Sequence, residues 1–292
     1  MLEKIKKNIG NNIRQYTMVI ALIAIVLFFQ ITLGGVLLKP MNVTNLILQN
    51  SYILILAIGM LLCLITGNVD LSVGSVIGFI GALSGVLIVN NGWSVPVTIG
   101  VCLLAGLLIG AWNGFWIAYM KIPAFIATLA GMLVFRGLTM AVMKGQTIGP
   151  FPESYQLIST GFIPDVFHGR GLNIFCVLVG VLLSAYFIVT EIFNRRKKQK
   201  YNFQVPSTGL FVLKLVVLAV VVNLFFVWLA LNNGIPNVFI LIGLLIVIYS
   251  FITQKTVAGR HVYAYGGNAK AAELSGVKTK RILFAVYTNM GL

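Results

Sequence analysis

Residues 46–89 read LILQNSYILILAIGMLLCLITGNVDLSVGSVIGFIGALSGVLIV, two long apolar runs separated by the short polar stretch Gly67–Asp70. Each run is close to the ~20 residues that an α-helix needs to cross the ~30 Å hydrocarbon core of a bilayer. One continuous helix of this length would extend about 60 Å, twice that thickness. The stretch therefore predicts two membrane spans at residues 46–66 and 71–89, or a span followed by a re-entrant segment.

The same alternation of apolar runs and polar islands continues along all 292 residues. Hydrophobic residues make up 59% of the chain and charged residues 9%, against roughly 25% charged residues in a soluble domain. Such a chain needs lipid as its solvent, and lipid leaves helices as the structure that pairs every backbone group. We predict an all-α polytopic membrane protein. About eight transmembrane helices are expected, at residues 16–38, 46–66, 71–89, 96–119, 124–143, 172–193, 210–231 and 235–253.

The positions of lysine and arginine predict the orientation. If the N-terminus is cytoplasmic, sixteen of these residues fall in inner segments and three in outer segments, as the positive-inside rule requires. Residues 144–171 then form an extracytoplasmic loop and residues 254–281 a cytoplasmic segment. The net charge of +15 does not indicate nucleic acid, because the basic residues are not interleaved with aromatic residues on one soluble face.

Three polar side chains lie at or near membrane depth, where each must be paired or hydrated. Asp70 either caps the helix that follows it or lines a transport path or gate. Asn113 either bonds to a neighbouring helix or contacts a transported molecule. Arg136 belongs either to an ion pair, with Glu153 and Asp165 as the nearest outer acids, or to the path.

Glycine spacing predicts close helix packing. Small residues four positions apart let helix backbones approach each other in lipid. This spacing occurs at Gly74 and Gly78, at Gly81 and Gly85, and at Gly106, Gly110 and Gly114.

The inner segment contains the signals of a short capped helix. Asn268 can cap it, residues 269–275 favour helix, and Gly276 can end it in the left-handed conformation. Such a helix is either a docking site for another protein or an ordinary surface helix. The sequence shows no phosphate-binding glycine loop and no metal-ligand cluster, so ATP that drives transport would have to bind another chain.

At these islands the chain resembles the permease subunits of bacterial monosaccharide ATP-binding cassette (ABC) importers of the ribose, xylose and arabinose type. The basic stretch near residues 195–200 is most similar to the xylose or multiple-sugar branch. The matching blocks are residues 65–75, 110–114, 122–132 with 135–137, and 263–268 with 271–277.

The resemblance implies a single permease domain over residues 1–292 that moves a monosaccharide by alternating access across the cytoplasmic membrane. It also implies a second permease copy, an extracytoplasmic sugar-binding protein, and a cytoplasmic ATPase that binds ATP and Mg. The chain itself would be no enzyme and would hold no cofactor or metal. Full-length relatives have about ten spans, so we expect the run that begins near Ile282 to be incomplete. The alternative is a secondary transporter of a small polar solute driven by an ion gradient, disfavoured by the few membrane acids.

Two sets of site residues follow from the islands and the resemblance together. The residues expected in the translocation path or gate are Asn68, Asp70, Ser72, Asn113, Thr128 and Arg136. The residues expected to couple the permease to its ATPase are Gly266, Gly267, Asn268, Ala271, Ala272, Glu273 and Gly276.

Overall fold

The computed structural model describes residues 13–169 and 171–292. Over these residues the chain folds into twelve α-helices, and a π-helical turn at Val86–Asn90 extends the third. The helices are α1 (Ile13–Thr32), α2 (Pro40–Ile65), α3 (Val73–Gly85), α4 (Val95–Ala118), α5 (Ala124–Met143), α6 (Glu153–Thr160), α7 (Ile174–Lys200), α8 (Thr208–Ala230), α9 (Asn237–Lys255), α10 (Val257–Gly267), α11 (Ala269–Leu274) and α12 (Thr279–Gly291).

Seven of the described helices are long and apolar enough to cross a membrane, namely α2, α3 with its π turn, α4, α5, α7, α8 and α9. They correspond to the predicted runs from 46–66 to 235–253, so the polytopic all-α prediction is confirmed. Helix α2 begins at Pro40, since proline suits a first helical position, and α7 continues to Lys200. Hydropathy marks only the apolar part of a helix, and these helices continue into polar residues beyond that part.

The first predicted run ends earlier than expected. Helix α1 stops at Thr32 because Gly34 and Gly35 adopt positive φ angles of 59° and 84°, which break the helix. The run over residues 16–38 counted these glycines as apolar and therefore overestimated the span. The apolar part described in α1, Thr17–Thr32, is shorter than the seven long helices.

The described chain divides into two compact units. The first unit comprises the described residues up to Gln49 together with residues 162–235, and the second comprises residues 50–161 and 236–292. Each unit has its own packing.

In the first unit, α7 and α8 form an antiparallel hairpin joined by polar contacts. The Asn223 Nδ2 donates to Ser184 Oγ at 3.0 Å, and Lys214 Nζ lies 2.7 Å from a Glu191 carboxylate oxygen. This is the one ion pair among residues 13–169 and 171–292, so Arg136 forms none with a described acid. Of the two alternatives for Arg136, the ion pair is therefore absent among the described residues, and the path role stays a prediction.

Asp165 orders the loop that leads into α7. Its two carboxylate oxygens accept backbone N–H groups of Phe167 at 3.1 Å, Gly169 at 2.8 Å, Ile174 at 3.2 Å and Phe175 at 3.2 Å. The last two donors lie at the N-terminus of α7, where the helix dipole favours a negative charge. Desolvation acts to raise the pKa of this carboxyl, but the four backbone donors outweigh it and lower the pKa below its ordinary value.

We predict that Asp165→Ala accelerates amide hydrogen exchange several-fold at the four donor residues, whereas Asp165→Asn, which keeps one acceptor oxygen, gives an intermediate rate. The folded-state pKa lies below the unfolded one, so the loop is fully stabilised above the ordinary aspartate range and loosens only as the pH falls through the lowered value. Hydrogen exchange followed by mass spectrometry measures both effects. Unchanged exchange at pH 7 in Asp165→Ala would contradict this role.

In the second unit, the core forms where α4 and α12 cross near the ends of α2 and α10. Tyr287 of α12 is fully buried among Leu62, Ile117 and Val286. The glycines of α4 permit this crossing, because a Cβ at Gly106 or Gly110 would overlap a backbone carbonyl of α12. The final run near Ile282 is therefore α12, whose partner is the predicted glycine stripe.

In each of the other two glycine pairs, only one glycine lies close to another part of the chain. Gly78 of α3 lies near Thr139 of α5, and a Cβ at Gly85 would approach Ile148 at 3.1 Å. By contrast, a Cβ at Gly74 or Gly81 would meet no atom of the described chain within 4 Å. Within the described chain, Gly74 and Gly81 therefore have no packing partner, since a four-residue spacing does not reveal which face meets a neighbour.

Candidate functional site

The polar loop, residues 66–72, joins α2 to α3 through a sharp turn. Gly67 adopts a φ of 75°, which side chains disfavour, and Thr66 Oγ1 donates to the Cys63 carbonyl at 2.7 Å. The Asn68 amide donates to the Thr66 carbonyl at 3.1 Å and to its hydroxyl at 3.2 Å. The polar side chains of Thr66 and Asn68 are thus hydrogen-bonded within or next to the loop.

Asp70 is 5% exposed and holds the end of this turn. Its Oδ1 accepts the backbone N–H of Ser72 at 2.8 Å and the Ser72 hydroxyl at 2.6 Å. Helix α3 begins one residue later, at Val73. The expectation that Asp70 caps the helix itself needs correction, because the carboxylate bonds the residue just before the first helical one.

A second helix is joined to the turn by Asn113 of α4, whose Nδ2 donates to Ser72 Oγ at 3.0 Å. Asp70, Ser72 and Asn113 form a continuous hydrogen-bonded chain that we call the polar cluster. Ser72 and Asn113 are 1% and 3% exposed. Gly131 of α5 covers the cluster, since a Cβ there would lie 3.3 Å from Asn113 Oδ1. The neighbouring-helix bond considered for Asn113 is therefore present.

The remaining path candidates are placed differently. Thr128, one turn before Gly131 on α5, is fully buried and donates to the Ala124 carbonyl of its own helix at 2.8 Å. Arg136 lies on the exposed face of α5 beside Leu133 and Met140, which are 61% and 67% exposed. The structure therefore brings together Asp70, Ser72 and Asn113 and leaves Arg136 apart from them.

The coupling segment, residues 254–281, contains the short capped helix that the sequence predicts. Asn268 Oδ1 accepts the Ala271 N–H at 2.9 Å, and Gly276 has a φ of 86°. Helix α11 ends at Leu274, one residue before the predicted end. Leu274 is 83% exposed, while Ala272 on the opposite face is 5% exposed. Sequence reasoning missed Leu274 as an exposed apolar residue, although a lone large apolar residue in a polar segment is a usable signal.

A close backbone contact joins this segment to the polar loop. A Cβ at Gly266 would overlap the carbonyl oxygen of Ile65, the last residue of α2, whereas a Cβ at Gly267 would meet nothing within 4 Å of the described chain. Ile65 directly precedes the polar loop. The end of α10 therefore packs directly against the residue at which the polar loop begins. Ile65 was not singled out from the sequence, because its role depends on a contact distant in the chain.

Comparison with known protein sequences identifies the family of the chain. A family model described as the permease component of the branched-chain amino acid transport system matches residues 42–292. The chain belongs to this permease family. The expectation of a multi-pass membrane subunit of an ABC importer is confirmed.

Named relatives share much of the permease sequence. The xylose transport system permease protein XylH of Escherichia coli K12 is 39% identical over 290 residues, which cover 96% of this chain and 70% of that protein. The protein of the same name in Haemophilus influenzae is 37% identical, over 94% of this chain and 72% of that one. The autoinducer 2 import system permease protein LsrC of Salmonella typhi is 32% identical, over 65% and 52%. No solved structure matches the permease.

Within the permease, Asp70 substitutions separate a structural role from a charge-dependent one. Asp70→Asn keeps an oxygen that can accept both Ser72 bonds, so we expect an unchanged unfolding midpoint. Asp70→Leu leaves the buried Ser72 N–H unpaired, which costs about 1–3 kcal/mol of folding free energy. Thermal unfolding of the purified protein measures both. A normal midpoint in Asp70→Leu would contradict the turn-holding role, whereas lost uptake in a stable Asp70→Asn would assign a role to the charge.

Proposed function

We propose that this permease is the membrane subunit of an ABC importer for xylose or a related monosaccharide. The observation that carries the proposal is the 39% identity to a xylose transport permease over 96% of this chain. The autoinducer 2 permeases match a smaller part of the chain, which favours the xylose group over them.

The proposed topology places the N-terminus and residues 254–281 in the cytoplasm and residues 144–171 outside. The excess of lysine and arginine in the inner segments supports it. In this orientation a sugar-binding protein delivers its sugar to the outer face, while a separate ATPase with bound ATP and Mg docks on the inner face. A second permease copy completes the path.

We propose that the ATPase contacts the coupling segment around α11. The exposed Leu274 and Glu273 provide an apolar and an acidic contact on a short helix that is fixed at both ends by Asn268 and Gly276. The residues proposed for coupling thus have different roles. They are Gly266, Gly267, Asn268, Ala271, Ala272, Glu273 and Gly276. Exposed members meet the ATPase, Ala272 anchors the helix on the core, and Gly266 transmits its movement to Ile65.

The polar cluster and the polar loop form a gate in this proposal. Asp70, Ser72, Asn113 and Thr128 are buried, so in this conformation they close the structure and line no open path. Movement of Ile65 would strain the turn and break the Asn113 bond. Asn68, inside the same loop, would move with it, and Arg136 would contribute from the exposed face of α5.

Uptake by a strain that lacks this gene tests the proposal. We expect the deletion to abolish ATP-dependent uptake of labelled xylose or a related pentose, and a plasmid copy to restore it. Glu273→Lys should restore membrane levels but not uptake. Lys198→Glu, which changes the charge by the same amount at the end of α7, should restore both. Unchanged uptake of every pentose and hexose tested in the deletion strain would reject the proposal.

A further inference from the structure

The second unit contains an apolar cleft of about 510 Å³, and the coupling segment forms part of its wall. Its walls come from α9, α10, α12 and the last turn of α2. Leu62 and Ile252 line it, and both lie in the final turns of helices long enough to span a membrane. We expect these helix ends, and with them the cleft, to lie near the boundary between lipid and water.

The floor of the cleft follows one face of α12. Ile282, Ala285, Val286 and Asn289 line it, and this spacing of three and four residues places them on one helix face. At ~1.5 Å per residue, this face is about 10 Å long. The amide of Asn289, whose Oδ1 accepts the Tyr249 hydroxyl at 2.9 Å, ends the apolar surface. A slender apolar chain fits this shape.

The rim of the cleft is basic. Lys278 and Arg281 are exposed and line its mouth together with His261, and no acidic side chain of the described residues lines it. Lys278 and Arg281 also line a neighbouring pocket of about 380 Å³, where Lys280 adds a third cation and Glu273 is the single acid. The rim thus offers several unpaired cations to one anion.

We infer that this cleft binds an anionic glycerophospholipid of the surrounding membrane, with its phosphate at Lys278 and Arg281 and one acyl chain along α12. Basic pockets between membrane helices bind anionic headgroups in this way. The apolar floor excludes free phosphate as the preferred ligand, because phosphate would leave that surface exposed to water. In this proposal the lipid enters from the bilayer beside the ends of these two helices. The cleft shares the coupling segment with the proposed ATPase contact, but lipid binding is measured on the purified chain alone, so failure of one proposal is distinguishable from failure of the other.

Binding of short-chain lipids to the purified full chain in detergent tests the inference. We expect saturable binding of dioctanoyl-phosphatidylglycerol, and roughly ten-fold weaker binding of dioctanoyl-phosphatidylcholine, since an anionic headgroup is the distinguishing feature. The double substitution Lys278→Gln with Arg281→Gln should abolish that preference. Removal of the same charge at the exposed end of α7, by Arg196→Gln with Lys197→Gln, should preserve it.

A second variant tests the acyl-chain part of the site without changing charge. Ala285→Phe fills the floor of the cleft and should weaken phosphatidylglycerol binding by roughly ten-fold, while circular dichroism shows unchanged helix content. Three results would overturn the inference. These are equal binding of the two lipids, full phosphatidylglycerol binding in the Lys278 and Arg281 variant, and competition by glycerol 3-phosphate as effective as that by the lipid.

Discussion

Gly266→Ala is expected to reduce sugar uptake by about ten-fold or more, while the permease still reaches the membrane. The added methyl group would overlap the carbonyl oxygen of Ile65, which belongs to the backbone and cannot rotate away. Overpacking of this kind costs about 1–3 kcal/mol, and each 1.4 kcal/mol changes an equilibrium constant ten-fold. Helix α10 must therefore move away from the end of α2. That movement uncouples the coupling segment from the polar loop.

The measurement is uptake of labelled xylose by a deletion strain that carries each variant, normalised to the amount of protein in the membrane. Gly243→Ala is the matched control. Gly243 is another helical glycine of the same unit, and a Cβ there would meet no described atom within 4 Å. Its uptake should equal that of the unmodified permease. Normal uptake in Gly266→Ala would refute transmission through this contact, whatever its stability.

The same substitution distinguishes transmission from docking. If Gly266 acted by contacting the ATPase, its variant would release the ATPase from purified membranes. We expect the ATPase to remain bound, because the exposed Glu273 and Leu274 are unchanged and Asn268 still caps α11. ATP hydrolysis by the proposed partner ATPase should also continue in these membranes. These results would mean that the Gly266–Ile65 contact connects the ATPase-docking surface of α11 to the polar loop without itself binding the ATPase.

Local features of this fold could be predicted from the sequence. Asn268 and Gly276 identify the ends of α11 because helix capping depends on residues within four positions of each other. The spans follow from hydropathy, which needs only a window of adjacent residues. The turn at Gly67 and the departure of the chain into α3 follow from the same kind of local signal.

Contacts between distant residues could not be predicted in this way. The partner of Asn113 is Ser72, 41 residues earlier, and the partner of Gly266 is Ile65. Nothing in the local periodicity of either helix specifies these pairs. Arg136 is a further example, because its charge suggested an ion pair that is absent among the described residues. Prediction succeeded for the ends of α11, misjudged the cap at Asp70 and the end of α1, and failed where two helices had to be matched.

The contact between α4 and α12, which we call the seam, is an intermediate case. The glycine stripe of α4 was recognised from the sequence, but the helix that packs against it was not. A Cβ at Gly110 would overlap the Tyr287 carbonyl and lie 2.9 Å from the Gly291 Cα and N. None of these backbone atoms can rotate away. The two helices must then separate, and the buried Tyr287 and Val286 lose their packing.

We therefore expect Gly110→Ala to lower the free energy of unfolding by about 1–3 kcal/mol or more. Thermal unfolding of the detergent-purified protein measures the loss. Gly100→Ala on the same helix is the control, because its Cβ would meet no described atom within 4 Å, and alanine is the better helix former by about 1 kcal/mol. The two alanine variants should thus differ in sign.

A change on the opposite helix tests the seam independently. A Cβ at Gly291 of α12 would overlap the Gly106 carbonyl and lie 2.6 Å from the Gly110 Cα and N. Gly291→Ala should therefore destabilise the protein in the same direction as Gly110→Ala. Because either methyl group alone forces the helices apart, the double variant should lose less than the sum of the two single losses. Strictly additive losses would mean that the two glycines do not meet, and would refute the seam.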